Sequence, residues 1–143
     1  MGLTWSVSIE YQHVDNPYYD WANIFHNTIG SNMGAPGTRT PAIYTRPGSH
    51  AISVMSYING DANYVITLSP HPKLYEWYKI LVEQQLVEGK YIFSISVNDN
   101  EYHSVENTTP QTFYNVDMWV SDPWYAASPG IIRNLRLKSG VCK

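Results

Sequence analysis

The sequence is short of sulfur, of charge and of long apolar runs, and each shortage closes off a class of protein. Its one cysteine, Cys142, stands next to the C-terminus of the 143 residues. No disulfide can therefore form within the chain, and no zinc site can be built from thiolates. Cys142 reads either as a tail thiol or as a half of an interchain disulfide. Charged residues make up 15%, against about 25% in ordinary globular domains. The nine Lys and Arg form no basic cluster and the net charge is −3, so the electrostatic footprint of a nucleic-acid binder is missing. No apolar run reaches the ~18 residues that would span a bilayer. No secretory leader shows at Met1-Gly2-Leu3. Gly-x-Ser-x-Gly, His-Glu-x-x-His and the phosphate-binding loop are all absent.

What the chain has instead is aromatic. Twelve Tyr and five Trp supply flat apolar bodies with polar handles, useful in strands, at interfaces and against sugars. That excludes a disordered chain, which is poor in aromatics and rich in charge. The length suits one domain with a core of its own, over about residues 4–138 followed by a short tail.

Strand patterns fill that length. Trp5, Val7, Ile9 and Tyr11 alternate with Thr4, Ser6, Ser8 and Glu10, as in a half-buried strand. Further strands are expected at Ala22–His26, Ala42–Tyr44, Ala51–Ile58 and Tyr64–Leu68, with Asn59-Gly60-Asp61 as a hairpin turn. Trp77–Leu86 has some helical spacing. Its hairpin-length link, Val87-Glu88-Gly89-Lys90, to the strongly alternating Tyr91–Val97 favours two antiparallel strands. After the turn Asn98-Asp99-Asn100 come Glu101–Glu106, Tyr114–Val120 and Ile131–Leu137. About ten strands separated by turn chemistry predict an all-β, two-sheet antiparallel sandwich.

The segment Glu106-Asn107-Thr108-Thr109-Pro110-Gln111-Thr112-Phe113-Tyr114-Asn115-Val116 and the phrases Ser121-Asp122-Pro123-Trp124-Tyr125 and Pro129-Gly130-Ile131-Ile132-Arg133-Asn134-Leu135 each run a turn into a short apolar strand. With Trp21–His26, Arg39–Ile43, Leu74–Ile80 and Gly89–Phe93 in order before them, they resemble the concanavalin A-like lectin/glucanase superfamily. The likeness is to its laminin G-like jelly rolls and the invertebrate extracellular lectin-like modules, and it runs from about Trp5 to Leu137. It implies a jelly roll and a secreted, extracellular setting. Asn107-Thr108-Thr109 is an N-glycosylation sequon, which carries weight only in such a setting.

Members of that superfamily include glucanases, which carry Glu-x-Asp-x-x-Glu or a near variant on one strand; this chain has no such phrase. Glycosidases need two carboxyl groups roughly 5–10 Å apart, yet Glu76 and Glu83, like Glu101 and Glu106, fall on opposite pleats if extended. A non-catalytic carbohydrate-binding module is therefore expected, with glycans or glycoproteins as partners. A protein-interaction or adhesion module in the manner of laminin G domains, or a homo-oligomeric structural domain, is the alternative.

Sugar recognition requires flat apolar faces together with planar polar groups. Asp15, Asn16, Tyr18, Tyr19, Asp20 and Trp21 offer both kinds within seven residues, on a loop of the sort where binding groups gather. The competing reading has Tyr18 and Trp21 capping the core while Asp15 and Asp20 hold turns. A second wall is expected from Asn27, Asn32 and Arg39; Arg39 either reaches ligand or braces a loop. Trp124 is either corner packing or a sugar platform, and His26 either a hydrogen-bonded core residue or a metal ligand. No cofactor is required by the residues themselves. The resemblance makes Ca²⁺ the one candidate, with Asp15, Asp20, Asp61, Asp99 and Asp122 as oxygen donors.

Overall fold

A computed structural model describes residues 1–140 of the chain; Cys142 lies outside the described residues. Eleven strands form two stacked sheets and no helix occurs among the described residues. The first sheet orders β11 (Gly130–Ser139), β1 (Trp5–His13), β6 (Trp77–Val87), β7 (Lys90–Val97) and β8 (Asn100–Glu106), each antiparallel to its neighbour. The second orders β2 (Ala22–Thr28), β3 (Ala42–Thr45), β4 (Ile52–Ile58) and β5 (Asp61–Thr67). Along the free edge of β2 lie two fragments, β9 (Asp117–Trp119), antiparallel to it, and β10 (Ala126–Ala127), parallel to it.

Side-chain alternation explains the stacking. Trp5, Val7, Ile9 and Tyr11 of β1 are buried while the residues between them are half-exposed. They meet Ile80 and Val82 of β6, Phe93 and Ile95 of β7, and Ile43, Ile52 and Val54 of the second sheet in one core. Sixteen buried residues make up that core, and each large aliphatic or aromatic side chain in it contributes about 1.5–3 kcal/mol through burial.

Three hairpins fix the register. Asn59-Gly60, Glu88-Gly89 and Asn98-Asp99 each place two consecutive residues at positive φ, at 52° and 81°, 49° and 79°, and 49° and 68°. That is the two-residue turn whose twist matches paired antiparallel strands. It makes Trp77–Val87 a strand despite its partial helical spacing, because β6 pairs along its length with both β1 and β7.

The expected strand at Tyr114–Val120 shortens to β9. Asn115 and Ser121 take positive φ on either side of it, at 53° and 68°, which ends extended pairing there. Its neighbour β10 is two residues long and carries no periodicity a sequence can display.

The sequon asparagine is structural. Asn107 is buried; its amide nitrogen donates to Gln84 Oε1 at 2.8 Å and its Oδ1 accepts from the Asn59 and Thr109 N–H groups. A glycan on that nitrogen would need room that the buried side chain does not have.

Candidate functional site

On β3, β4 and β5 the residues out of phase with the core point away from it. Most strands of a sandwich show polar side chains there. Here Ala42 and Tyr44, Met55 and Val65 gather into a second apolar cluster with Trp21 and Tyr125. Trp21 immediately precedes β2 and Tyr125 immediately precedes β10, so the short parallel pairing of Ala126 with Ala22 brings the two rings to one place from opposite ends of the chain.

These residues line a cavity of about 410 Å³ on the outer face of the second sheet. Its deepest members are Tyr44 and Met55, both buried. The Trp21 and Tyr125 rings stand edge-on to Tyr44, at 6.2 and 5.5 Å between centroids. Polar groups complete the lining: Arg39, Arg46 and Asn63. Arg39 donates from Nε to Asn32 Oδ1 at 2.7 Å and from a terminal nitrogen to Asn63 Oδ1. Arg46 lies over the Trp21 ring, 5.1 Å from its centroid, and donates to Thr67 Oγ1 at 3.2 Å. A second cavity of about 310 Å³, lined by Ser31, Asn32, Met33 and Trp124, shares Tyr125 with the first.

Behind Tyr44 a buried polar network holds the wall. Asp122 accepts from the Tyr44 hydroxyl at 2.6 Å and faces His26 Nδ1 at 2.8 Å with one oxygen; the other accepts the N–H groups of Trp124 and Tyr125. His26 Nε2 donates to the Thr38 carbonyl at 2.6 Å. Burial pushes the Asp122 carboxyl up, but the hydrogen bonds from His26, Tyr44 and Tyr125 prevail and hold it below the usual carboxylate range. Burial first, and then the adjacent Asp122 carboxylate, raise the Tyr44 hydroxyl far above its ordinary value, so it stays a donor. Both ring nitrogens of His26 face oxygen atoms of the protein, and the ring is a buried brace of the wall.

The loop expected to bind spreads out. Trp21 enters the cavity. Asp20 Oδ1 accepts the Trp21 N–H and Asp15 Oδ1 the Asn16 N–H, each at 2.7 Å. Tyr18 and Tyr19 pack on each other at 4.4 Å, and the Tyr18 carbonyl accepts the Gly48 N–H. Asp15, Asn16, Tyr18, Tyr19 and Asp20 do not line the cavity. Arg39 does, with Asn32 bracing its guanidinium and lining the neighbouring cavity. Asn27 is buried in β2 with neither side-chain polar atom bonded.

The five aspartates considered for calcium are dispersed. Asp15 and Asp20 hold loop N–H groups, Asp61 accepts from Asn63 N–H, Asp99 pairs with Lys79 and Asp122 with His26. Among the described residues no three His, Cys, Asp or Glu side chains converge on one point.

Sequence reasoning passed over Tyr44, Arg46, Met55, Asn63, Val65 and Tyr125. The readable signal was apolar residues in the outward phase of strands whose other phase already fills the core.

The backbone has counterparts among solved structures. The receptor-binding domain of botulinum neurotoxin type G matches 94% of this chain and 34% of its own, at 11% identity and a TM-score of 0.59. A heptameric SAP-like pentraxin from Limulus polyphemus matches 95% of this chain and 64% of its own, at 11% identity and a TM-score of 0.58. Sheep galectin-11, in complex with glycerol, matches 96% of this chain and 92% of its own, at 12% identity and a TM-score of 0.50. The fold is the concanavalin A-like jelly roll. The resemblance drawn from the ordered phrases of the sequence thus holds at the level of the fold. The jelly roll spans about a third of the toxin chain it matches. No protein-family profile matches the sequence, and no curated protein does. No helix of the jelly roll, among the described residues, is long and apolar enough to cross a membrane.

Proposed function

We propose that this jelly roll is a non-catalytic carbohydrate-binding module, and that its site is the cavity on the outer face of the second sheet. The observation that carries the reading is the lining itself. Trp21 and Tyr125 offer apolar ring surface for the C–H side of a sugar over the buried floor of Tyr44, and Arg39, Arg46 and Asn63 offer planar donors and acceptors for its hydroxyls. Arg39 is held in place by two amide oxygens before any ligand arrives, which lowers the ordering cost of binding. The shared Tyr125 between two cavities suits an oligosaccharide better than a single ring. No carboxylate and no histidine lines either cavity, which supports binding without bond cleavage. Galectin-11, with the same fold, is a protein whose structure holds a polyol, glycerol.

Titration of the full chain against a panel of oligosaccharides, with and without Ca²⁺, tests the reading. Binding should weaken by about 2 kcal/mol in Trp21→Ala, as for truncation of a central aromatic anchor. Absence of binding to any sugar at millimolar concentration would defeat it.

A protein-contact reading draws on a different surface. Met118, Trp119 and Val120 are exposed on and beside β9, and exposed apolar groups of this kind mark interaction sites. Solution mass across a concentration series separates the two readings, since self-association through this patch would raise the mass without any sugar.

A further inference from the structure

We propose that the cavity takes an acidic saccharide, a sugar ring whose carboxylate or sulfate lies against Arg39 and Arg46. The proposal rests on the carbohydrate-binding reading above and names the chemical class that the site selects.

The argument starts from charge. The chain is acidic overall, with a net charge of −3, yet two guanidinium groups line one cavity that contains no carboxylate. The ion pairs among the described residues join His26 to Asp122, Lys79 to Asp99, Lys90 to Glu106 and Arg133 to Glu10. Neither Arg39 nor Arg46 is in any of them. Their partners are neutral: amide oxygens for Arg39, a threonine hydroxyl and an indole face for Arg46. These contacts orient the guanidinium groups without cancelling their charge.

The acid that lies close by is already spent. Asp122, beneath Tyr44, takes four hydrogen bonds from His26, Tyr44 and two backbone N–H groups. Each guanidinium has five N–H donors in a planar fork. Arg39 uses two nitrogens and Arg46 one in the contacts above, leaving donors free to grip a two-oxygen anion side by side. Neutral hydroxyls would satisfy those donors individually but bring no negative charge to meet the half-buried Arg39 and the exposed Arg46.

The test uses the full chain and an array in which each neutral oligosaccharide is paired with counterparts carrying a C6 carboxylate or a 6-O-sulfate, followed by calorimetry on the best set. Acidic members should bind at least about tenfold tighter than their neutral counterparts, and added salt should erode that advantage. Arg39→Gln and Arg46→Gln should each reduce the acidic preference while leaving thermal unfolding near wild type; Arg46→Lys should retain part of it. Equal affinity for neutral and acidic members would overturn this proposal and leave the carbohydrate-binding reading standing. An acidic preference that survives in both Gln variants would also overturn it. Binding to no member would overturn both.

Discussion

Acid should loosen this protein through one buried histidine. His13 ends β1 with 1% of its surface exposed. Its Nε2 donates to the His50 carbonyl at 3.0 Å, and its Nδ1, 3.1 Å from the Tyr11 hydroxyl, accepts from it. Tyr11 in turn meets Ser128 Oγ, and burial pushes its hydroxyl up to about 12, so it remains a donor. This chain of bonds fits a neutral imidazole with its proton on Nε2. Burial lowers the His13 value from 6.5 to about 4, against the raising effect of its bond to the His50 carbonyl and with small further lowering by the His50 and His71 rings. The unfolded chain therefore binds a proton at His13 below about pH 6.5, and the folded one does not until about pH 4. Between those limits the unfolded state holds more protons, so stability rises with pH; it is present above 6.5 and lost as pH falls through 4. At 1.36 kcal/mol per pKa unit the loss amounts to roughly 3 kcal/mol. Urea unfolding of the wild type and His13→Gln at several values between about pH 7 and pH 4 measures it. The carboxylates titrate alike in both proteins and cancel in the difference. The wild-type midpoint should fall by roughly 1–3 M more than the variant's over that window. Parallel pH profiles for the two proteins would refute the reasoning.

Three further outcomes are expected. Asp122→Ala strands His26, Tyr44 and two backbone N–H groups, and should cost about 3–5 kcal/mol by denaturant unfolding together with most of the sugar affinity proposed above. A methyl group at Gly130 would strike the Tyr11 ring across the β1–β11 pair; Gly130→Ala should cost about 1–3 kcal/mol as an overpacked core does, read as a drop in thermal midpoint. Asn27→Leu removes a buried amide that has no hydrogen-bond partner among the described residues, so it should be neutral or stabilising by about 1 kcal/mol; a loss above about 2 kcal/mol in the same assay would show that this amide is satisfied in solution.

Much of the fold was legible because its signals are local. Trp5, Val7, Ile9 and Tyr11 declare an inward face by alternation alone, and Asn59-Gly60 declares a hairpin by its backbone freedom. The cavity proposed as the site is non-local, and its lining was legible only in part. Trp21, Arg39 and Asn32 belong to the cavities or to their bracing. Asp15, Asn16, Tyr18, Tyr19 and Asp20 share Trp21's loop but make their bonds elsewhere, since loop composition does not say which way a loop turns. Tyr125 reaches Tyr44 through a strand of two residues, too short to leave a pattern. Tyr44, Met55 and Val65 went unread, because only knowledge of which strands neighbour each other turns apolar residues on three strands into one surface.

The way Asp122 fastens the Trp124–Tyr125 segment has a consequence for how such a protein can change. Within that wall the Trp124 and Tyr125 N–H groups are gripped by one carboxylate reaching behind them, while Asn23 holds the Asp122 and Ser128 N–H groups on either side and a two-residue pairing to β2 follows. Positions 123–125 are thereby a replaceable cassette. Libraries that keep Asp122 and randomise Pro123, Trp124 and Tyr125 would recut one side of the recess while the four- to seven-residue strands β2–β5 beneath keep their register, so new recess shapes are reachable without re-solving the folding problem.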